Sequence, residues 1–576
     1  MRDAPISSRH HLAGGVDYKW IALSNTTLGV LMASLNSSIM IISLPAIFNG
    51  LHINPLVPAN TGYLLWLLLG YMIVSAISLV TFGRLSDMFG RVRLYNLGFL
   101  IFTGGSVALY LSSLTISGTR GALALILLRL VQGFGGAFLS ANSAAILTDA
   151  FPAQERGLAM GINQIAAIGG GLIGLVLGGI LSAVDWHLIF LVSVPVGLFG
   201  TVWAYVALRE IATVRRGQRL DPLGNVTFAV GLTVLLIGFT YSIEPYGHST
   251  MGWGNPLVLS LITAGVLLLG VFVWWEQRAP DPMFRLSLFR VRAFAAGNVS
   301  TLLAGIARGG LQFMLVIWLQ GIWLPMHGVA FVETPLQAAI DMTPLMAGFL
   351  VVAPLSGWLS DRAGARVLAT AGMLVNVVGF ILLAGLRSEF AFWPFAGVIF
   401  LLGVGQGMFS APNTAAVMNS VPPEHRGAAS GMSATFLNAS MMLSIAVFFT
   451  ILVVRLAARL PQAMYAGLTR IGLPAKAALQ VSHLPPIAAL FAALLGYNPM
   501  SNLVSPSTLA QLPAATGATM LSNHFFPSLI GPPFMDGMRT VLTVAAGMAL
   551  VAAFASALRG RAYVHGAQRS RTDSRR

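Results

Sequence analysis

The stretch GRLSDMFGRVR, residues 83–93, recurs in altered form as GWLSDRAGAR at residues 357–366. A second pair, FPAQERGLAMG at 151–161 and VPPEHRGAASG at 421–431, repeats at a similar distance. The two offsets are 274 residues (357 minus 83) and 270 residues (421 minus 151). Because the offsets nearly agree, the sequence predicts a chain built from two similar halves.

The composition is that of a membrane protein. Of the 576 residues, 56% are hydrophobic and 9% are charged, whereas soluble domains carry about 25% charged residues. Apolar runs of about 20 residues are long enough to cross a hydrocarbon core about 30 Å thick. The runs predict fourteen spans, near residues 20–47, 62–82, 93–114, 121–147, 157–182, 187–208, 222–243, 255–275, 293–321, 336–359, 365–386, 391–418, 427–454 and 537–558. We therefore expect an all-α integral membrane protein with two six-helix repeats and two linker helices.

Arginine and lysine residues predict the orientation of the spans, because basic residues accumulate on the cytoplasmic side of membrane proteins. With both termini in the cytoplasm, the cytoplasmic loops and tails hold most of the basic residues. This placement accounts for the formal net charge of +15 and argues against a nucleic-acid partner. We expect a multi-pass protein of the plasma (inner) membrane, surrounded by the lipid bilayer.

The spans divide the chain into five predicted regions. The regions are a cytoplasmic N-tail (1–19), a first six-helix bundle (20–208), a linker with two extra spans (209–292), a second six-helix bundle (293–558) and a basic cytoplasmic C-tail (559–576). The second bundle includes a long segment, 456–535, that is rich in Pro, Ala and Leu and is predicted on the outer side. Short helices on the membrane surface are one expectation for it. A gate, a partner surface and an inert insertion are all open as its role.

The sequence contains no arrangement typical of an enzyme or a metal site. It has no cysteine, and none of its ten histidines falls at a ligand spacing such as HExxH. No combination of nucleophile, base and oxyanion donors stands out. We therefore expect no enzymatic activity, no cofactor and no metal.

The 83–93 stretch resembles the signature that members of the major facilitator superfamily carry between their second and third helices. In that family the loop is thought to latch the two halves together in the outward-facing state. The resemblance assigns this role to Gly83, Asp87, Gly90 and Arg91, and in the second copy to Gly357, Asp361 and Arg366. The alternative is a basic cytoplasmic loop with an acid that aids solubility.

The fourth span, RLVQGFGGAFLSANSAA from Arg129, is similar to a second signature of the family, in which an intramembrane arginine contributes to proton coupling. Placing an arginine at the centre of a membrane helix costs about 2.5 to 3.5 kcal/mol, so such a residue needs a partner or a role. The alternative is an arginine near a helix end that extends to the interface.

Four glycines of the fifth span, Gly170, Gly174, Gly178 and Gly179, resemble the signature that distinguishes exporters from importers in the superfamily. Glycines four residues apart allow two helix backbones to pack closely. Leu175 stands where a proline usually follows the middle glycine. We expect an antiporter-type glycine face.

Three further stretches resemble the fourteen-helix drug efflux branch of the superfamily. LNSSIMIISLPAIF has Asn36 where the branch carries an aspartate, and DWHLIFLVSVPVG from Asp185 has His187 where an arginine is usual. The linker DPMFRLSLFRVRAFAAGN from Asp281 matches the branch closely. Because asparagine does not titrate, coupling to protons would require another group than Asn36.

Asp341 in the tenth span is the best-placed intramembrane acid, and Asp149 is second. Arg308 and Gln312 lie one helical turn apart on the ninth span. Intramembrane charges tend to pair, so a pair between Arg308 and Asp341 is expected. Arg129, Asp341 and Arg308 are the predicted coupling residues. The alternative places Asp341 at the outer interface near Glu333.

A substrate site is expected near the midplane between the two halves. Sites lined mainly by apolar groups with a few polar ones suit lipophilic or amphipathic molecules. The predicted polar residues of the cavity are Asn36, Gln132, Asn142, Gln164, Gln312 and Asn413. For each of them, the alternative is an amide that bonds a neighbouring helix.

These features predict a secondary active transporter that exports lipophilic or amphipathic small molecules by alternating access, in exchange for protons and as a monomer. The alternatives are an exporter of endogenous lipid or glycolipid, and a carrier without proton coupling.

Overall fold

In the described part of the computed structural model, helices joined by turns and loops make up the regular structure, together with an isolated bridge between Tyr246 and Ser249. The structure describes residues 17–53, 61–152, 155–211, 221–247, 249–282, 284–331, 333–422, 425–494, 498–504 and 513–560. Most of the predicted N-tail and C-tail lies outside these residues, as does part of the linker at 212–220.

Among the described residues, fourteen helices are long and apolar enough to cross a membrane, which confirms the predicted fold class. We number them as spans 1 to 14 in chain order. They are Tyr18–Leu44, Leu65–Phe89, Arg91–Thr115, Gly118–Ala150, Arg156–Val184, Trp186–Ala207, Pro222–Tyr241, Pro256–Glu276, Arg292–Met326, Thr334–Ser360, Ala365–Ala384, Phe392–Asn419, Ala428–Arg470 and Phe525–Ala557.

The outward faces of the spans expose large apolar side chains. Leu127 is 62% exposed, Val202 64% and Trp393 80%. In water a continuous apolar surface of this kind would cause association. Hydrocarbon is a favourable environment for it, and every backbone polar group inside a helix is already hydrogen-bonded. The chain is a multi-pass membrane protein.

The two halves repeat the same helix pairings. Span 1 packs on span 5 and span 3 on span 4, and in the same way span 9 packs on span 13 and span 11 on span 12. The halves meet through span 2 against span 13 and through span 5 against span 10. The duplication in the sequence therefore corresponds to two equivalent six-helix bundles.

Residues 83–93 and 357–366 lie at the same end of the bundle. Arg91 forms an ion pair with Asp149 at the end of span 4, and a Cβ atom at Gly357 would lie 2.3 Å from the carbonyl oxygen of Gly157. We call this end the inner end and the opposite one the outer end. The basic residues predict that the inner end is cytoplasmic.

Spans 7 and 8 pack on each other beside the twelve helices of the two halves. Span 7 contacts span 2 and span 13. The Asp221 carboxylate accepts hydrogen bonds from the backbone N–H of Gly224, at 2.9 Å, and from the indole of Trp275, at 2.9 and 3.0 Å. This carboxylate therefore caps the start of span 7 and ties it to the end of span 8.

The helix of span 13 is longer than the sequence predicts. It runs over Arg426–Arg470, which is 45 residues, and not to a boundary near 454. The extension carries a buried apolar stripe in which side chains recur every four residues. The stripe consists of Leu456, Leu460, Met464 and Leu468. Because this stripe packs against the core, the helix remains stable beyond the length that a bilayer requires.

The described residues of the connection between spans 13 and 14 contain four short helices, Ala475–Ser482, Pro486–Leu494, Met500–Leu503 and Ala514–Leu521. We call the connection between these two spans the outer connection. Its first two short helices are bent by 86° relative to each other. In the second, Ile487, Leu490 and Phe491 are at most 5% exposed. The helix Pro486–Leu494 is thus part of the protein core, and not a helix lying on the membrane surface as expected.

Candidate functional site

A cavity of about 510 Å³ lies between the two halves, a volume within the range of small-molecule sites. Spans 1, 2, 4 and 5 of the first half and spans 9 to 13 of the second line most of it. Most of the wall is apolar. Its arginine and amide side chains are Arg129, Asn163, Gln164, Arg308, Gln312, Asn376, Gln406, Asn413 and Asn438.

Three of the predicted cavity residues, Gln164, Gln312 and Asn413, line the wall. The Gln164 amide donates a 2.5 Å hydrogen bond to the Ser410 hydroxyl, which joins span 5 to span 12 across the cavity. Asn413 donates to the Thr301 hydroxyl at 2.8 Å and so joins span 12 to span 9. These amides both face the cavity and fix the helices around it.

The other three predicted cavity residues lie behind the wall. Asn36 accepts a hydrogen bond from Arg129 at 3.4 Å. Gln132 accepts from Arg129 at 3.5 Å and donates to the Ser106 hydroxyl at 2.8 Å. Asn142 donates to the carbonyl oxygen of Phe138 in its own helix at 2.8 Å. The structure therefore places the three amides in contact with protein groups, because their helix faces turn away from the cavity.

Arg129 is 1% exposed and lines the cavity from span 4. Besides the two amides, its guanidinium donates to the carbonyl oxygen of Leu67 at 3.1 Å and lies 5.2 Å from the centre of the Tyr71 ring. An arginine held by neutral acceptors and an aromatic face keeps its charge inside the protein. Arg129 does not extend to an interface.

The structure does not join Arg308 to Asp341. Asp341 Oδ1 accepts a 3.0 Å hydrogen bond from Gln337, one turn earlier, and Oδ2 is buried without a hydrogen-bond partner among the described residues. Arg308 lines the cavity, and its Nε is likewise buried without such a partner. Asp341 ends the short helix Thr334–Asp341, which packs against span 5. It therefore lies where the two halves meet, away from the cavity wall.

Asp87 joins the two halves at the inner end. One carboxylate oxygen accepts hydrogen bonds from Arg91 at 2.8 and 3.1 Å, and the other accepts one from the backbone N–H of Ala428 at 3.0 Å. Ala428 lies in the first turn of the span 13 helix, where a carboxylate is favoured by free N–H groups and the helix dipole. Asp149 pairs with Arg91 and, at 3.4 Å, with Arg426. We call these five residues the inner latch.

Gly90 separates span 2 from span 3 with a φ of 106°, in the left-handed region that favours glycine. A Cβ atom there would lie 2.7 Å from a carboxylate oxygen of Glu210. That oxygen accepts a 2.9 Å hydrogen bond from the N–H of Val92 and so caps the start of span 3. Burial raises the pKa of Glu210 above its usual value.

The second copy of the latch motif resembles the first in its glycines and differs from it at its arginine. Gly357 lies against Gly157 of the first half, and Gly364, with a φ of 89°, occupies the position equivalent to Gly90. Arg366 is exposed, in contrast to the buried Arg91. The side chain of Asp361 lies outside the part of the chain that the structure describes.

Three of the four span 5 glycines pack directly on span 1. Cβ atoms at Gly170 and Gly174 would lie 2.5 and 2.4 Å from the backbone oxygens of Leu31 and Leu35. One at Gly178 would lie 2.4 Å from the side chain of Ile42. Larger residues at these positions would separate the two helices.

Gly179 faces the other half of the protein. A Cβ atom there would lie 3.2 Å from the backbone nitrogen of Leu336, which belongs to the short helix ending at Asp341. The fourth glycine therefore forms part of the contact between the halves.

Phe491 lines the cavity from the short helix Pro486–Leu494. Its ring stacks on Phe449 of span 13 with centroids 6.0 Å apart. The same helix packs against a π-helical turn of span 9, Leu319–Trp323, where a Cβ atom at Gly321 would lie 3.0 Å from the carbonyl oxygen of Ala493. Sequence reasoning missed Phe491, because nothing in the Pro- and Ala-rich connection distinguishes the part that reaches the cavity.

Asn163, Asn376 and Gln406 also line the cavity without having been predicted. Each is an amide in the middle of an apolar span, which is the signal that selected the other amides. The periodicity of a helix tells which residues share a face but not which face meets the cavity.

Known proteins resemble the chain over most of its length. The family model described as Major Facilitator Superfamily matches residues 26–444 and 300–486. The riboflavin transporter RibZ of Clostridioides difficile (strain 630) is 29% identical over 431 residues, covering 75% of this chain and 87% of the relative. A tetracenomycin C resistance and export protein of Streptomyces glaucescens is 27% identical over 554 residues, covering 96% and 94%.

A solved structure supports the fold. The proton:xylose symporter XylE bound to 6-bromo-6-deoxy-D-glucose matches with a TM-score of 0.55 at 15% identity, over 82% of this chain and 95% of that one. Together with the two equivalent bundles around a shared cavity, the family match over most of the sequence shows that this chain is a transporter of the Major Facilitator Superfamily.

Proposed function

We propose that the protein is a secondary active exporter of lipophilic or amphipathic small molecules that works by alternating access in the plasma membrane. The observation that carries the proposal is the cavity of about 510 Å³, which both halves line and which no single half encloses. A site at the interface of two bundles opens to one side when the bundles rock in one direction and to the other side when they rock back.

The contacts at the inner end support this cycle. The inner latch joins the halves through Asp87, Asp149 and the first turn of span 13, and a 2.8 Å hydrogen bond from Arg156 to Asn419 adds a further link. These are polar contacts between helix ends, which can break and form again without disturbing the apolar packing within each half. The latched form corresponds to a state closed at the inner end.

The direction of transport and the substrate class draw on the relatives. The tetracenomycin C resistance and export protein, whose name states export, aligns with 96% of this chain. The mainly apolar wall suits a lipophilic molecule. The fourteen spans are consistent with the fourteen-helix drug efflux branch.

Exchange for protons is the proposed source of energy, and Asp341 is the proposed proton carrier. The residue is 4% exposed, and one oxygen of its carboxylate has no hydrogen-bond partner in the described part. It lies where the short helix of span 10 packs on span 5. A carboxylate at the contact between the halves changes its charge and its hydration when the halves separate. Protonation is thereby linked to the conformational change.

A carrier without proton coupling is the second candidate. The observation that favours it is the hydrogen bond between Asn36 and Arg129, since an amide occupies the position where the efflux branch carries an acid. In this alternative the charge of Arg129 stays constant through the cycle.

Dye efflux from cells that express the chain tests both candidates. We expect loss of a fluorescent dye against its gradient, measured over a panel that includes anionic and cationic dyes. Nigericin, which dissipates the pH gradient and spares the potential, should slow efflux if protons are exchanged, because it removes one of the two driving forces. An efflux rate that nigericin does not change would favour the second candidate, and the absence of efflux for every dye would overturn the export function.

A further inference from the structure

Among the described side chains that line the cavity, two are charged, and both are arginines. Arg129 comes from span 4 of the first half and Arg308 from span 9 of the second. The remaining described lining residues are apolar or carry neutral hydroxyl, amide or backbone groups. Because a guanidinium stays protonated in proteins, the wall carries a positive charge from each half.

A third arginine lies directly behind the wall. Arg559, just after span 14, is 4% exposed and donates a hydrogen bond to the side-chain oxygen of Asn413, which lines the cavity. Burial lowers the pKa of Arg559 to about 10, so this residue remains charged at neutral pH. The inner part of the cavity therefore lies close to a further positive charge.

The described ion pairs do not include any of these three arginines. Arg129 is held by neutral acceptors. The Nε of Arg308, and the Nε and one terminal nitrogen of Arg559, are buried without a partner in the described part of the chain. Buried cations are costly unless an opposite charge or hydrogen-bond acceptors surround them. A molecule that brings an anionic group into the cavity would supply the negative charge and the hydrogen-bond acceptors that these arginines lack in the described structure.

We propose that the cavity selects organic anions, amphipathic molecules whose carboxylate or sulfonate group binds Arg308. This inference rests on the proposed export function and names its substrate class. Arg308 is the anchor because it lines the cavity while its Nε has no described protein acceptor, whereas Arg129 is already hydrogen-bonded. Charge-assisted hydrogen bonds from a guanidinium fork to a carboxylate are strong and directional.

The apolar part of such a molecule fits the rest of the wall. Phe349, Phe380 and Phe409 line the second-half side of the cavity, and Phe491 lines it from the outer connection. A lipophilic cation would meet the same apolar surface but would be repelled by the arginines. Specificity then arises from repulsion of the wrong charge as well as from attraction of the right one.

The electrical potential of the membrane also favours export of anions over export of cations. An anion that leaves a cell with a negative interior moves down the electrical gradient, whereas an exported cation moves against it. Export of an anion therefore needs less coupling to protons. An amide at position 36 is compatible with this requirement.

Binding of two dyes to the purified full-length protein in lipid nanodiscs tests the charge preference. Carboxyfluorescein is the anionic probe and ethidium the cationic one, and fluorescence polarisation measures both. We expect carboxyfluorescein to bind at least about tenfold more tightly, the effect of one charge-assisted hydrogen bond. Ethidium binding that is equal or tighter would overturn the proposal.

Variants of Arg308 test the anchor. Arg308→Gln should weaken carboxyfluorescein binding roughly tenfold and strengthen ethidium binding, because one repelling charge is removed. Arg308→Lys, which keeps the charge but lacks the planar fork, should weaken carboxyfluorescein binding less than the glutamine does. The matched control is Arg539→Gln, which removes an arginine whose side chain is 46% exposed, outside the cavity. If Arg308→Gln weakens both dyes in parallel, or neither, Arg308 is not the anion anchor.

Efflux from cells separates this inference from the export function. Cells that export ethidium and retain carboxyfluorescein would uphold export and overturn the anion preference. Cells that export neither dye, combined with selective binding of carboxyfluorescein to the purified protein, would uphold the anion site and overturn export of these molecules.

Discussion

The carboxylate of Asp87 accepts a 3.0 Å hydrogen bond from the backbone N–H of Ala428, 341 residues later in the chain. The bond joins the end of span 2 in the first half to the first turn of span 13 in the second. Here the first copy of the duplicated motif contacts the opposite bundle, and the first prediction follows from this contact.

Replacing Asp87 by Asn should lower the transport rate by about tenfold or more while leaving the protein in the membrane. The amide loses the negative charge that Arg91 and the helix terminus bind, and breaking one partner of a buried ion pair costs several kcal/mol, roughly 3 to 5. Dye efflux normalised to the amount of protein in the membrane measures the effect. Asp536→Asn is the control, because Asp536 pairs with Arg539 at 3.6 Å and is 46% exposed. Normal efflux by the Asp87 variant would refute the latch.

Gly174→Ala should lower the melting temperature of the purified protein and slow transport. Its Cβ would lie 2.4 Å from the backbone oxygen of Leu35, so span 1 and span 5 must separate. Overpacking of this kind costs about 1 to 3 kcal/mol. The matched control is Gly169→Ala in the same helix, where nothing lies within 4 Å of the added atom. Alanine there should be neutral or stabilising, because it has the higher helix propensity. Equal melting temperatures for the two variants would contradict close packing of span 1 on span 5.

Asp341→Asn should remove the pH dependence of transport. In the wild-type protein, efflux coupled to proton uptake should become faster as the outside pH is lowered, because the inward proton gradient grows. The asparagine carries no proton, so its rate should be flat over the same pH range. Glu333→Gln is the control, since Glu333 is an exposed acid just before the same short helix. A pH profile unchanged in the Asp341 variant would exclude this residue as the proton carrier.

Phe491→Ala should raise the KM for the substrate several-fold and leave the amount of protein in the membrane unchanged. The ring is 3% exposed, lines the cavity and stacks on Phe449, so its removal enlarges the site and reduces the apolar contact. Leu479→Ala in the neighbouring short helix is the control, because Leu479 is 55% exposed. Should the two variants have the same KM, the outer connection makes no contact with the substrate.

The number of spans and the duplication were predictable from the sequence. A bilayer of fixed thickness requires helices of a minimum length, and the loops between them lie in water and are more polar. Apolar runs in the sequence therefore identify the spans directly. The repeat of the 83–93 stretch then assigns six spans to each half. The exception is the helix Arg426–Arg470, whose extension carries an apolar stripe that is buried in the protein.

The cavity residues were predictable only in part. Gln164, Gln312 and Asn413 reach the wall, whereas Asn36, Gln132 and Asn142 do not. The difference depends on the rotation of each helix about its axis, which is set by packing against its neighbours and leaves no trace in the spacing of polar residues. The expected pair between Asp341 and Arg308 was not predictable for a similar reason. Intramembrane charges tend to pair, but this tendency does not give the distance between two particular helices.

The 45-residue helix Arg426–Arg470 reaches from the inner latch to the outer connection. Its first turn is held by Asp87. The helix also packs against the first two short helices of the outer connection, the second of which brings Phe491 to the cavity. With a rise of 1.5 Å per residue the helix is about 65 to 70 Å long, so each degree of tilt moves its tip by about 1 Å. If the inner latch opens and the helix tilts about its first turn, the outer connection would therefore move with the far end of the helix. Because a single helix contacts both the inner latch and the outer connection, the two ends of the cavity would not open at the same time.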